Sequence, residues 1–117
     1  MNTLNLKFPK RFFMDYARGK PCLIRIARQC GYQSCAGSET TVNAHFTLKG
    51  YKAMGSKKAS LPDVCGAHSC SVCHGLVDGA IKPLNKMISY EQIQLWHAEG
   101  VMRTLDLLVK NGVLPNP

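Results

Sequence analysis

The sequence lacks the long apolar segments that a membrane anchor requires. No run of eighteen apolar residues occurs in its 117 residues, which argues against a transmembrane helix. The first residues, MNTLNLKFPKRFF, place lysine and arginine inside the apolar stretch, so they do not have the uninterrupted apolar region of a signal peptide. We therefore expect a cytoplasmic protein.

Acidic residues are scarce, and the resulting positive charge is unevenly distributed. The chain has 15 Lys and Arg against 7 Asp and Glu, which gives a net charge of +8. Residues 1–30 hold seven of the basic residues and one acid, Asp15, so this region alone carries +6. Such a region attracts phosphate or another anionic surface, and we expect nucleic acid as the partner. A merely solvated basic face is the alternative.

The residue patterns predict an α+β fold in one domain, which suits the length of the chain. We divide the chain into a basic extension over residues 1–20 and a domain over residues 21–117. Apolar alternation and β-branched residues predict strands over residues 22–28 (CLIRIAR), over residues 40–48 (TTVNAHFTL) and near Val64. Helices are predicted from about Phe12 to Arg18, over residues 70–78 with Gly79 as the stop, and near the C-terminus.

The C-terminal helix has the clearest signals. Ser89 is a suitable N-cap and Gln92 its capping-box partner, and Gly112 provides the stop. Apolar residues recur at helical spacing, and His97 falls on the same stripe, so we interpret it as a core histidine. Gly100 interrupts the helix at about 1 kcal/mol, which indicates close packing, either within the chain or with a second copy in a homodimer.

Six cysteines are many for this length. Without a secretion signal, closely spaced cysteines more often bind metal than form disulfides. Cys70 and Cys73 have C-x-x-C spacing, so the intervening turn can bring both sulfurs to one metal ion. A structural zinc needs four such ligands, and two of Cys22, Cys30 and Cys35 would complete the set.

A closed four-cysteine site does not hydrolyse anything, so catalysis requires other groups. His74 and Asp78 lie four residues apart on the predicted helix, where they could share a divalent metal ion. A strand histidine (His45), a loop and then C-x-x-C-His at a helix start follow the order of the HNH nuclease motif. Phosphodiester cleavage needs a base that works near neutral pH, which histidine offers, and a cation at the developing negative charge.

The sequence resembles the YbcO-like nuclease family of lambdoid phages and prophages, an HNH-type group. The similarity spans roughly residues 16–110. The matching stretches are Ala17–Cys22 with Ile24–Ile26, Glu39–Val42 with Ala44–His45, Met54–Gly55, Pro62–Asp63, Ala67–Asp78, Leu95–Glu99 and Val101–Thr104.

The resemblance implies a ββα-metal core with a structural zinc and a long C-terminal packing helix. It implies His45 as general base and His74 as a ligand of the catalytic metal. The implied zinc ligands are Cys22, Cys30, Cys70 and Cys73.

The sequence departs from the family pattern at three points. The loop after Cys30 is longer and contains an extra cysteine, Cys35, which is an alternative zinc ligand. Ala44 stands where many HNH enzymes have an acid, so the catalytic metal needs another ligand, for which Asp78 is our candidate. Asp63 is the nearest candidate for the loop-holding role of the motif's middle asparagine.

These observations favour a phage- or prophage-encoded, metal-dependent endonuclease that acts on nucleic acid, with DNA preferred. Mg²⁺ or another divalent cation would serve catalysis beside the structural Zn²⁺. The residues expected to bind nucleic acid are Arg18, Lys20, Arg25, Lys57 and Lys58. The alternatives are a non-catalytic zinc-binding nucleic-acid module and a regulatory protein that uses its terminal helix as a partner surface.

Overall fold

The computed structural model describes residues 8–46 and 62–115. The elements are α1 (Phe12–Tyr16), a 3-10 turn (Ser38–Thr40), β1 (Val42–His45), a second 3-10 turn (Asp63–Cys65), β2 (Gly66–Ser69), α2 (Ser71–Asp78) and α3 (Tyr90–Lys110). A small α+β fold with a long C-terminal helix is thereby confirmed.

Two short strands form the sheet, and His45 is the last residue of the first strand. β1 and β2 are antiparallel, with Val42 opposite Ser69 at one end and His45 opposite Gly66 at the other. The predicted strand at residues 40–48 is confirmed for Val42–His45, whereas residues 47 and 48 lie outside the described residues. α2 begins two residues after β2 ends, so the sheet and this helix form a continuous β–β–α unit.

The second strand is displaced from its predicted position. Val64 lies in the 3-10 turn Asp63–Cys65, and β2 starts immediately afterwards. Proline at position 62 precedes this turn, and the N–H of Cys65 donates to the Pro62 carbonyl at 2.8 Å. That local bond uses the backbone for a turn rather than for a strand.

The strand predicted over residues 22–28 is wrong. Leu23 donates one backbone hydrogen bond to the carbonyl of His68 on β2, at 2.7 Å, but the chain then turns at Arg25, which has a φ of 59°. Ile24 and Ile26 are both buried, each 1% exposed, so their alternation reflects packing against the core rather than a sheet. The turn folds this segment around the sulfur of Cys22.

α1 is slightly shorter than predicted and packs onto the sheet. It ends at Tyr16 instead of Arg18. The side-chain amide of Asn43 on β1 lies 3.6 Å from the sulfur of Met14, and the Asn111 amide donates to the Tyr16 hydroxyl at 3.0 Å. The described part of the basic extension therefore contacts both β1 and the end of α3, and its division from the rest of the chain stays a prediction.

α2 and α3 begin and end within two residues of their predicted bounds. Cys70 is the N-cap of α2, and Gly79 ends that helix with a left-handed φ of 88°. Ser89 caps α3, where its hydroxyl accepts a hydrogen bond from the N–H of Gln92 at 3.1 Å. None of the helices in residues 8–46 and 62–115 combines the length and the apolar composition that a membrane span requires.

The core lies where α3 crosses the segment around Ile24. A Cβ atom on Gly100 would come within 2.8 Å of the Ile24 side chain and within 3.2 Å of its Cα atom. Glycine at this position therefore allows the two backbones to approach closely, so packing within the chain explains a glycine in the middle of the continuous helix α3. The guanidinium of Arg103 donates to the carbonyls of Leu23 and Ile24 at 2.7 and 3.3 Å, which fixes the same crossing.

Candidate metal centre and active site

Four cysteine sulfurs converge at the start of α2. The Sγ atoms of the cluster lie within 4.8 Å of one another, and the members are Cys22, Cys35, Cys70 and Cys73. Cys70 and Cys73 are buried, and the other two are half-buried. A tetrahedral site for a soft cation such as zinc needs four thiolates at this kind of proximity, so the cluster could hold a metal ion.

One member of the expected ligand set is different. Cys30 is 0% exposed and lies in the apolar core, outside the group of converging sulfurs. Its carbonyl accepts hydrogen bonds from the N–H groups of Leu84 and Asn85, which ties this residue to the segment after α2. The longer loop that follows Cys30 instead brings Cys35 to the cluster, so this alternative cysteine supplies the fourth sulfur.

Backbone N–H groups point at the sulfurs of the cluster. Cys73 donates to the Sγ of Cys70 at 3.4 Å, Ile26 donates to the Sγ of Cys73 at 3.4 Å, and Arg25 donates to the Sγ of Cys22 at 3.5 Å. The last contact requires the left-handed backbone at Arg25, a conformation that is uncommon outside glycine and persists where surrounding structure imposes it. These N–H groups stabilise negative charge on sulfur and suit metal-bound thiolates.

The protonation of the cluster follows from its crowding. A hydrogen bond from Cys73, helped by backbone N–H groups, lowers the pKa of Cys22 to about 4 against the opposing effect of burial. The same hydrogen bond and burial raise the pKa of Cys73. Burial, and then the charge on Cys22, raise the pKa of Cys35 to about 11. Of these three thiols only Cys22 therefore favours the thiolate form, and a divalent cation would stabilise further thiolates.

A second group of polar side chains lies at the other end of the sheet. The Nε2 atom of His45, at the end of β1, is 2.6 Å from the Oδ1 atom of Asp63. Their side chains are 40% and 36% exposed, so solvent or a substrate can reach both. Asp63 is held in turn because its carbonyl accepts a hydrogen bond from the Asn43 side chain at 2.8 Å. The result is an accessible imidazole with a carboxylate that fixes its ring.

α2 carries a third pair, His74 and Asp78. The Nε2 atom of His74 is 3.8 Å from the Oδ2 atom of Asp78, and both side chains are partly exposed. The other carboxylate oxygen accepts the N–H of Ala80 at 2.8 Å. Across residues 8–46 and 62–115, the cysteine cluster is the one group of three or more potential ligands within 4.8 Å, so His74 and Asp78 offer two ligands to a second metal ion.

His97 on α3 lies behind β1. It is 5% exposed, its Nε2 atom is 3.1 Å from the carbonyl oxygen of Ala44, and its ring meets Phe46 edge-to-face with 5.1 Å between centroids. Burial lowers the pKa of His97, the hydrogen bond to Ala44 opposes this, and the charge of nearby His74 adds to the lowering. The interpretation of His97 as a buried, hydrogen-bonded core histidine is confirmed.

The basic side chains expected at nucleic acid differ in how they are held. The guanidinium of Arg18 lies 3.7 Å from the Asp15 carboxylate, in an exposed pair that contributes little stability. Lys20 donates to the Tyr16 carbonyl at 3.0 Å and lies over the ring of the same residue. Arg25 is exposed next to the cysteine cluster, where its Nε atom donates to the Cys22 carbonyl. Lys57 and Lys58 lie outside the described residues.

Comparison with known proteins identifies the family. The sequence profile of the family described as "Putative nuclease YbcO" matches residues 13–113. The chain belongs to this family. A solved structure described as "Structure of a putative bacteriophage protein from Escherichia coli str. K-12 substr. MG1655" covers 85% of this chain and 98% of its own, with 28% sequence identity and a TM-score of 0.60. No curated protein matches the chain.

Membership in the YbcO family confirms the resemblance found in the sequence. It supports nuclease activity in general, and with it a nucleic acid as substrate. The protein in the neighbouring structure is itself described as a bacteriophage protein.

Two contacts at the site go beyond the residue pattern. The sequence suggested a loop-holding role for Asp63 but gave no sign that its carboxylate reaches His45, 18 residues away. The placement of His97 on the apolar stripe predicted burial, but not the bond to the carbonyl that precedes His45. Both contacts depend on how the chain returns to β1, which sequence spacing does not reveal.

Proposed function

We propose that this protein is a metal-dependent HNH-type endonuclease, encoded by a phage or prophage, that hydrolyses phosphodiester bonds in DNA. The observation that carries the proposal is the accessible His45–Asp63 pair at the end of a β–β–α unit whose helix presents His74. The cysteine cluster is the candidate structural zinc site of this unit.

His45 acts as the general base in this proposal. Its ring takes a proton from a water molecule, and the water oxygen then forms a bond to phosphorus while the bond from phosphorus to the leaving oxygen breaks. The Asp63 carboxylate accepts a hydrogen bond from the N–H at Nε2, so the other ring nitrogen, Nδ1, carries the lone pair that receives the proton from water. Once the ring is protonated, the same carboxylate stabilises its positive charge.

His74 and Asp78 are the proposed ligands of a catalytic divalent cation such as Mg²⁺. A cation bound there would stabilise the negative charge that develops on the phosphate and the leaving oxygen. Carboxylate oxygen suits Mg²⁺ and Mn²⁺, whereas imidazole nitrogen suits transition-metal cations, so this pair could hold either kind of divalent ion. The two side chains are exposed enough for exchange with solvent.

The basic N-terminal region provides the proposed contacts to the phosphate backbone. Arg18, Lys20 and Arg25 lie in this region, and Lys57 and Lys58 are further candidates from the sequence. Phosphate contacts of this kind position nucleic acid without reading its sequence.

The experiment that tests the function is a cleavage assay on supercoiled plasmid, linear duplex, branched DNA and RNA. Activity is measured with Mg²⁺ or Mn²⁺ and after EDTA treatment, with zinc content determined in parallel so that loss of the structural ion is not mistaken for loss of the catalytic one. We expect metal-dependent cleavage that falls about 10²- to 10⁴-fold in His45→Ala. Met87→Ala, at a side chain that is 89% exposed, is the control.

A non-catalytic zinc-binding nucleic-acid module is the second candidate. It is favoured by the closed set of four sulfurs, which leaves no open coordination position for water. This candidate predicts salt-sensitive binding of nucleic acid without cleavage. His45→Ala should then leave the binding affinity unchanged.

A further inference from the structure

His97 connects α3 to the strand that carries the proposed general base. It is a polar residue, 5% exposed, on the buried face of a helix whose other buried members include Ile93 and Leu108. A buried imidazole without a hydrogen bond would be destabilising, and an apolar residue would fill the same space at lower cost. The position therefore calls for a specific contact.

The contacts of His97 lie on both sides of His45. The Nε2 atom faces the carbonyl of Ala44, the residue before His45, at 3.1 Å. The ring packs edge-to-face on Phe46, the residue after it. Because a carbonyl only accepts hydrogen bonds, Nε2 must carry the proton, and its donation holds the backbone at the end of β1.

The end of β1 needs such support. β1 has four residues, and His45 is its last. His45 is itself exposed, so its own side chain contributes little burial to hold the backbone, and Asp63 restrains only the ring. A general base must stay within hydrogen-bond reach of the attacking water, and a displacement of about 1 Å can reduce the rate about 10²-fold.

We propose that His97 is a positioning residue that fixes the backbone around His45 and thereby determines the position and orientation of the general base. This inference rests on the proposed function, in which His45 accepts a proton. His97 does not touch the substrate in this proposal; it acts through the Ala44 carbonyl and the Phe46 ring.

The test compares two substitutions of His97 with one matched control. His97→Phe keeps an aromatic ring against Phe46 but removes the donor, whereas His97→Gln supplies an amide donor in place of Nε2. Thr104→Val is the control, because Thr104 is equally buried on α3 and its hydroxyl accepts a hydrogen bond from the N–H of His68 on β2, the other strand. Each protein is first checked for zinc content and thermal stability.

We expect His97→Phe to lower kcat about 10- to 100-fold with little change in KM. His97→Gln, which keeps a donor, should retain most of the wild-type kcat. Thr104→Val should leave kcat close to that of the wild type. An equal loss of kcat in Thr104→Val at similar stability would show that any weakened contact between α3 and the sheet has this effect, and would overturn the proposal. An unchanged kcat in His97→Phe would overturn it as well.

NMR of the His45 ring separates this inference from the proposed function. In His97→Phe the His45 Hε1 resonance should shift or broaden, while Thr104→Val should leave it unchanged. If the wild type cleaves no substrate, the nuclease proposal fails, and the His45 resonance alone then decides whether His97 positions this residue. An unperturbed His45 resonance in His97→Phe would refute the positioning role.

Discussion

The cysteine cluster contains Cys35 where the family resemblance implied Cys30, and this difference leads to a sharp prediction. Both residues are cysteines in the same stretch, so Cys35→Ala and Cys30→Ala remove the same atom and differ only in where it lies. Structural zinc sites contribute about 10–16 kcal/mol of apparent folding free energy at neutral pH. If four sulfurs share this evenly, removal of one corresponds to roughly 3 kcal/mol, or about a hundredfold in zinc affinity.

The two variants should therefore separate clearly. Cys35→Ala should bind zinc about a hundredfold more weakly and unfold at a lower temperature, because its sulfur belongs to the cluster. Cys30→Ala should keep its zinc and lose only about 1 kcal/mol, the effect of deleting one buried atom from the core.

The assay is zinc content by mass spectrometry after dialysis against graded concentrations of a competing chelator, combined with thermal unfolding. The wild type should retain one zinc ion per chain. Loss of zinc from Cys30→Ala and its retention by Cys35→Ala would refute the assignment of Cys35 as a zinc ligand. It would support Cys30, the ligand that the family resemblance implied.

Three further predictions concern the active site and the packing around it. Asp63→Asn should reduce cleavage about tenfold or more, because a neutral amide lacks the negative charge that stabilises a protonated imidazole. Asp106→Asn, at an exposed carboxylate, should leave the rate unchanged, and equal rates in both variants would contradict the role of Asp63. Gly100→Ala should destabilise the protein by about 1–2 kcal/mol despite the better helix propensity of alanine, because its Cβ would meet backbone atoms of Ile24; a higher melting temperature would be the contrary result. Arg25→Gly should change the free energy of unfolding by less than about 1 kcal/mol, because glycine accepts the left-handed backbone. The slope of the logarithm of DNA affinity against the logarithm of salt concentration should become about one unit less steep. An unchanged slope would show that Arg25 does not contact phosphate.

The helices and one strand could be predicted because their signals are local. Ser89 caps α3 through an atom only three residues away, and Gly79 ends α2 through its own backbone freedom. β1 follows from β-branched residues next to a turn. Such features depend on neighbours within a few residues, which any sequence window contains.

The segment around Cys22 could not be predicted in this way. Its alternating Ile24 and Ile26 satisfy a strand pattern, and both are indeed buried. What decides the conformation is the sulfur of Cys22, around which the backbone turns so that Arg25 can donate to it. A contact with cysteines some 50 residues further along the chain overrides the local preference for a strand.

The candidate site was predictable by residue type more than by arrangement. His45, His74 and Asp78 stand out through their spacing and their place beside C-x-x-C. The choice between Cys30 and Cys35 depended on the path of a loop, and the family resemblance implied Cys30, which lies outside the cysteine cluster. The link between His45 and Asp63 depended on how β1 and β2 align, which places the 3-10 turn beside the end of β1.

The cysteine cluster also determines how the chain would behave if it were cut. Two of its sulfurs come from positions 22 and 35, and two come from positions 70 and 73. A break in the backbone between Cys35 and Cys70 would therefore divide the protein into fragments that each bring half of the ligands to one ion. A bound ion would add its four bonds to the strand pairing and core packing that hold these fragments together, and a chelator would remove that contribution. Cleavage of the chain there and dissociation of the protein are thus distinct events.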